Sequence, residues 1–346
     1  FSGYLAKPVS GALLEAAVMS ILPKELVKLS EETSQAEIGK DILIFEQAQR
    51  LSIMVTTDSV CDLPEPLKKE FGISVCPYYV CTDQGRFMDE VELKADELLV
   101  HIAGGKHGVS EPPNVEDYER FFAERLTEAQ NVIHITMAKH VSQGYQNAVE
   151  AAKSFENVTV VDSGHVSSSM GLAVLYAAYM AENHATKGEI IDNVKRLRRY
   201  ISSAFIIDST HMMCRTGRIP KRVQILCDAL LLHPVMRLRN SRMVVGGLEM
   251  GSFRHVTKGY IRKTLSDTRS IDRRILFITY AGMDERSLQY IQELVQQHCP
   301  FERVYLQKAS SAISSNCGPG SFGLLFMRKN EVEIEFSKAS DWETTN

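Results

Sequence analysis

The sequence predicts an α/β protein, with a parallel-rich sheet in its N-terminal part and a mixed sheet in its C-terminal part. Two observations carry this prediction. Between residues 51 and 200, apolar strand candidates alternate with helix candidates, the pattern of a parallel sheet covered by helices on both faces. After residue 201 the texture changes: strand candidates dominate, and the chain closes on a hairpin-like pair. A third observation points to a site. Residues 55–64 read VTTDSVCDLP, an apolar run that ends in hydroxyls and a carboxylate before a helix start. Ligand sites of α/β proteins form at such strand ends.

Taken in order, the chain begins with a strand at 3–6 that runs into Lys7-Pro8. After the N-cap candidate Ser10, Leu13, Leu14, Ala17, Val18, Ile21 and Leu22 recur at helical spacing. Residues 24–50 are polar and charge-mixed; Ile38, Ile42, Ile44 and Phe45 suit one amphipathic helix, so this segment reads as a helical linker. The body opens with a strand at 53–57. A helix follows at 62–71, with Asp62 as N-cap and Glu65 completing a capping box. Next come a strand at 73–80, a helix at 95–102, a helix at 115–127 capped by Asn114, and a strand at 132–136. A helix at 144–155, a strand at 158–161 and helices at 171–183 and 189–200 complete the alternating region. Beyond it lie strands at 205–207, 243–245, 275–280, 304–306, 324–327 and 332–336, the last two turning at Lys329-Asn330. Helices at 223–232, 255–265 and 286–298 interrupt them.

The totals narrow the function. At about 150 residues per domain, 346 residues suit two domains or slightly more. Apolar content of 44% and charged content of 24% are those of an ordinary globular protein. A net charge of −4 offers nothing global to nucleic acid or an anionic membrane. No apolar run is long enough for an integral membrane segment. The seven cysteines, Cys61, Cys76, Cys81, Cys214, Cys227, Cys299 and Cys317, contain no CxxC pair and read as the thiols of a cytoplasmic protein. The chain starts at Phe1 without a signal peptide and reads as an excerpt of something longer.

Several familiar motifs fail on context. Gly318-Pro-Gly320-Ser-Phe-Gly323 matches GxGxxG, but strand-like sequence follows it instead of a βαβ unit. Gly104-Gly105-Lys106-His107 lacks the spacing of a phosphate-binding loop, and no GxSxG elbow is present. The ten histidines form no HxxxH pair, so neither a metal nor another cofactor is expected. His134, inside a strand, reads as a satisfied interior histidine. What remains are hydroxyl-bearing loops: Thr57-Asp58-Ser59, Val109-Ser110-Glu111-Pro112, Val141-Ser142-Gln143-Gly144-Tyr145 and Asp162-Ser163. Serine hydroxyls beside helix N-terminal amides suit a carboxylate or phosphate, although N-capping is the commoner task of such residues.

These segments carry a resemblance. VTTDSVCDLP, the SEP segment, HVSQGYQNA, VVDSGHVSSSMG, CRTGRI, LLHPV and NCGPGSFG resemble, in order and spacing, the DegV family of bacterial fatty-acid-binding proteins, over residues 52–338. The resemblance implies two α/β domains, here 51–200 and 201–340, with a lipid tunnel between them. It implies a long-chain fatty acid as ligand, a separate ATP-dependent fatty-acid kinase as partner, and no enzymatic activity of the chain alone. It places ligand contacts at Thr57, Asp58, Ser59, Ser110, Ser142, Gln143, Gly144, Asn316 and Gly318, and partner docking at Arg218 in the Thr216-Gly217-Arg218-Ile219 loop. Residues 1–23, with Tyr4 and Lys7-Pro8, resemble the C-terminal strand and helix of a two-component receiver domain. Such a fusion implies a lipid sensor as well as a carrier.

The chain departs from the family pattern at the head-group end. Val109 stands where the family has Thr, Glu111 where it has Gln, Gln143-Gly144 where it has Gly-Thr, and Asn316 where it has His. Glu111 repels a carboxylate ligand unless it points outward or is protonated. Asn316 donates a hydrogen bond but exchanges no proton. Met170, Met212, Met213, Met236 and Met250 lie in segments suited to an adaptable apolar tunnel. The competing reading is a hydrolase or acyltransferase using Ser142 or Cys317 as nucleophile. That chemistry needs a histidine within reach, and His140 is the nearest in sequence to Ser142.

Overall fold

The computed structural model describes residues 50–215, 217 and 219–329. The receiver-like segment, the linker up to residue 49, Thr216, Arg218 and the closing strand at 332–336 lie outside the described residues. The N-terminal elements are β1 (Leu51–Asp58), α1 (Glu65–Glu70), β2 (Ser74–Cys76), β3 (Tyr79–Thr82), β4 (Gly85–Met88), α2 (Ala95–Ala103), β5 (Gly108–Glu111), α3 (Val115–Glu128), β6 (Ala129–Thr136), α4 (Gly144–Ala152), β7 (Val158–Asp162), α5 (Ser167–Glu182) and α6 (Lys187–Leu197). There follow β8 (Ile201–Ile206), α7 (His211–Arg215), α8 (Lys221–Ala229), β9 (Leu232–Arg239), β10 (Arg242–Met250), α9 (Phe253–Thr264), β11 (Ile271–Tyr280), α10 (Glu285–His298), β12 (Arg303–Lys308), α11 (Ser311–Cys317) and β13 (Phe322–Arg328).

The first sheet is parallel, in the order β2-β1-β6-β7. The second is mixed, in the order β10-β9-β8-β13-β11-β12, antiparallel except for the β11–β12 pair. The α/β class and the parallel-rich and mixed sheets are as the sequence implies. A small antiparallel sheet, β4-β3-β5, stands apart from both.

Helix α5 joins the two large sheets. It packs on β1 and also on β8, β11 and β13. Every residue from Ser167 to Ala178 is buried, as expected for a helix with apolar neighbours all round. Gly171 sets its approach to the turn after β1: a Cβ there would lie 2.7 Å from the Cys61 carbonyl oxygen. The polar end of β1 is buried behind the same helix and fully satisfied. Thr57 Oγ1 donates to the Ile135 carbonyl at 2.8 Å, and Thr56 Oγ1 lies 2.9 Å from His134 Nδ1. His134 is the satisfied interior histidine its strand position suggests, fully buried against Thr56 and Asp58.

The structure corrects several elements. Asp62 caps no helix of its own: it has φ of 44°, and α1 begins at Glu65 with Pro64 in the N-cap position. The strand expected at 73–80 breaks at Pro77, which has no N–H for a ladder; β2 stays in the parallel sheet and β3 leaves for the small one. Ser110 sits on strand β5, not in a loop. The helix expected at 223–232 ends at Ala229, because Leu232 opens β9 and the LLHPV segment pairs antiparallel with β10. Asn240 and Ser241, both at positive φ, make the two-residue turn of that hairpin. Helix α11, which the sequence does not announce, carries Asn316.

Candidate functional site

A cavity of about 660 Å³ opens where the mixed sheet faces the first turn of α5, the Ser59–Cys61 turn, β5 and the β6–α4 connection. Its wall crosses the mixed sheet through Thr279 on β11, Leu325 on β13, Phe205 on β8, Met236 on β9 and Met243 on β10. Val60, Val166 and Met137 face it from the other side. The volume is that of a small-molecule site. Of the methionines singled out from sequence, Met213 and Met236 line the cavity; Met170 and Met212 are core, and Met250 is exposed.

The wall also carries polar side chains. Ser110, Ser142, Gln143 and Asn316 all line the cavity, although more than 200 residues separate Ser110 from Asn316. Asn316 Nδ2 donates to Ser110 Oγ at 2.9 Å and to the Ala312 carbonyl at 2.9 Å, and contacts Ser315 Oγ at 3.1 Å. Ser142 Oγ accepts from the Gly144 N–H at 3.1 Å and lies 2.9 Å from the Tyr78 hydroxyl. Tyr78 also lines the cavity and is 2% exposed. Burial, and then the Asp58 charge, push its phenol well above the usual tyrosine range, so it stays protonated. Among the described residues that line the cavity, Arg215 is the one cationic side chain. Its guanidinium donates to the Lys106 carbonyl at 3.3 Å.

Five of the residues singled out from sequence do not line the cavity. Thr57 is spent on the Ile135 carbonyl. Asp58 is fully buried: it accepts from the Tyr118 hydroxyl at 2.7 Å and from the Met137 N–H at 3.3 Å, with His134 Nε2 at 3.2 Å. Ser59 donates to Asp89 and accepts from the Tyr78 N–H at 3.0 Å. Gly144 donates its N–H to Ser142, and Gly318 closes α11 at a positive φ of 76°. Arg218 lies outside the described residues.

These buried groups nonetheless build the polar region. The N-terminus of α11 is held by carboxylates from the first half of the chain. Asp62 accepts from the Ser310 N–H at 2.9 Å, Glu90 from the Ser311 N–H at 2.9 Å, and Asp89 from the Ala312 N–H at 2.9 Å and the Ser311 hydroxyl at 2.6 Å. Carboxyl oxygens there accept from the N–H groups that the helix cannot pair within itself. The last turn of α11 thereby presents Asn316 to Ser110. Burial raises the Asp62 carboxyl to about 7, against hydrogen bonds from Ser167 and Ser310 that lower it.

The departures from the family pattern resolve differently. Glu111 points away from the cavity: its carboxylate accepts from Arg86 Nε at 2.8 Å, and the Arg86 guanidinium stacks on the Tyr79 ring at 3.3 Å. Val109 lines the rim and is 55% exposed. Sequence reasoning missed Tyr78, hidden inside an expected strand, and four serine and threonine hydroxyls of the wall. Those four are already paired: Ser167 with Asp62, Ser203 with Ser169, Thr279 with Ser168, and Ser321 with the Cys317 carbonyl. Pro77 was the available signal for the break before Tyr78. The nucleophile reading finds little here. No histidine is among the described residues lining the cavity, and His140 is exposed. Among the described residues, no three or more His, Cys, Asp or Glu side chains cluster to hold a metal, and no helix is long and apolar enough to cross a membrane.

Comparison with known proteins gives one family. A family model described as "Uncharacterised protein, DegV family" matches residues 52–329. A DegV domain-containing protein of Caldanaerobacter subterraneus subsp. tengcongensis is 26% identical over 281 residues, covering 80% of this chain and 99% of that protein. A solved structure described as showing fatty acid binding of a DegV family protein from Thermus thermophilus superposes with a TM-score of 0.73 at 26% identity, covering 80% of this chain and 100% of that one. The structure of DegV from Bacillus subtilis, described as a fatty acid binding protein, superposes with a TM-score of 0.68 at 19% identity, covering 81% of this chain and all of that one; it speaks for the fold alone.

Proposed function

The chain belongs to the DegV family, and from that premise we propose that its cavity holds one long-chain fatty acid, with the carboxylate at Ser110, Ser142 and Asn316 and the tail along the apolar wall. The observation that carries this reading is the cavity itself: about 660 Å³, apolar over most of its wall, with Ser110, Ser142 and Asn316 among its neutral hydrogen-bonding groups. Each buried methylene contributes about 0.8 kcal/mol, so a long acyl chain supplies affinity while the polar region sets orientation. The fatty acid that the Thermus thermophilus relative binds supports the choice of ligand. Gln143, exposed at the rim, is a further contact in this reading, whereas Thr57, Asp58, Ser59, Gly144 and Gly318 act from behind the wall.

The same reading makes residues 51–200 and 201–340 the two domains of a cytoplasmic carrier. Residues 1–23 end a receiver domain and 24–50 link it to the body. A carrier hands its ligand to a separate fatty-acid kinase that docks at Arg218; a sensor reports lipid occupancy to a two-component system. Titrating palmitate into the full chain, followed by calorimetry and by thermal unfolding, tests the ligand assignment. Saturable binding at one site with a raised melting temperature is expected. No heat and no shift contradict it.

A further inference from the structure

Tyr78 and Gly144 form a matched pair beneath Ser142. A Cβ at position 144 would lie 2.4 Å from the Tyr78 hydroxyl oxygen and 3.2 Å from that of Tyr118. Any side chain at 144 therefore displaces the Tyr78 phenol, and the absence of one lets the phenol reach Ser142 Oγ at 2.9 Å.

That contact has a direction. Among the described residues, Ser142 is the hydrogen-bond partner of the Tyr78 hydroxyl, which is buried and held protonated. A buried O–H without an acceptor is costly, so Tyr78 donates. The Gly144 N–H also donates to Ser142 Oγ. Both lone pairs of Ser142 are then used, and only its hydrogen remains for a ligand. Asn316 orients Ser110 more loosely, through one of its two lone pairs. The amide atom 2.9 Å from the Ala312 carbonyl must be the nitrogen, and this same nitrogen donates to Ser110 Oγ, leaving the Ser110 hydrogen free.

We propose that Tyr78 is a positioning residue that makes Ser142 an obligate donor, so that Ser142 favours a head group that only accepts hydrogen bonds, an ionised carboxylate, over an alcohol of the same chain. This rests on the lipid-binding reading above. It assigns to Tyr78 a role exerted through Ser142, and it explains why glycine suits position 144.

The test compares affinities of the full chain for palmitate and for 1-hexadecanol. The parent binds palmitate more tightly. Tyr78→Phe lowers palmitate affinity about tenfold and hexadecanol affinity by clearly less, because a hydrogen bond to a charged acceptor is worth more than one to a neutral hydroxyl. Ser142→Ala does the same, and Tyr78→Phe/Ser142→Ala is no worse than Ser142→Ala alone, because both act on one donor. Gly144→Ala, which displaces the phenol without removing it, reproduces the loss of preference. Equal weakening of both ligands by Tyr78→Phe, additive losses in the double variant, or a parent that prefers hexadecanol overturns the proposal while lipid binding stands. Failure of the parent to bind either ligand overturns the lipid reading, and this proposal with it.

Discussion

The Asp62 carboxylate accepts a 2.9 Å hydrogen bond from the backbone N–H of Ser310, a residue 248 positions further along the chain. Local sequence makes Asp62 look like the cap of the helix beside it. The fold instead uses it on α11, whose last turn holds Asn316 against Ser110. The strand-and-loop stretch at 55–64 is thus the support of the polar region and not its surface.

Removing that support has a cost at both ends. Asp62→Ala leaves the buried Ser310 N–H and the Ser167 hydroxyl without their acceptor and lowers stability by about 1–3 kcal/mol for each group left unpaired. It also loosens α11, so palmitate affinity falls. Urea unfolding and calorimetry on one preparation check both, and unchanged affinity in a destabilised variant separates α11 from the site.

Two buried groups set opposing pH dependences. Asp62 is raised to about 7 by burial, so its contribution to stability is complete below its unfolded value of 3.8 and is lost as pH rises through 7. His165 is lowered to about 4 by burial, so its contribution is complete above its unfolded value of 6.5 and is lost as pH falls through 4. Between those limits the two slopes oppose each other. Asp62→Asn, which mimics the protonated acid, unmasks the histidine: urea midpoints of that variant climb from pH 4.5 to 6.5 more steeply than those of the parent. Parallel profiles refute the assignment.

Asn316→Asp puts a carboxylate where an amide donor faces Ser110. It repels an anionic head group and leaves Ser110 free to donate to the new side chain instead. Palmitate affinity at neutral pH falls by more than in Asn316→Ala, and partly recovers as pH drops toward 5. A loss no greater than that of the alanine variant argues that the head group lies elsewhere.

Glu111→Gln, by contrast, leaves palmitate affinity within about twofold. The carboxylate is exposed and tied to Arg86, a surface pair of the kind worth about 0–1 kcal/mol. A large gain in affinity would mean that Glu111 faces the ligand.

Much of the fold was legible because its signals are local. The Asn114 cap of α3 and the apolar runs of β1, β6 and β11 declare themselves within a few residues. Ser110 and Ser142 are singled out through resemblance alone, and both line the cavity. The rest depends on distant partners. Helix α11 is a serine-rich turn with little helical propensity, formed where Asp62, Asp89 and Glu90 meet its N–H groups. Tyr78 lies in an alternating run whose periodicity hides the change of sheet at Pro77. The outward turn of Glu111 follows from the β3–β5 ladder, which sets its register beside Tyr79.

The central claim is that the cavity is a fatty-acid site, and the lipid a purified chain carries tests it most directly. The full chain, purified without added lipid, is denatured and extracted, and the extract is weighed by mass spectrometry beside that of a Ser110→Ala/Ser142→Ala variant prepared in parallel. The account predicts a long-chain fatty acid at near-stoichiometric amount in the parent and much less in the variant. An extract without fatty acid, from a chain that added palmitate also fails to stabilise, contradicts it.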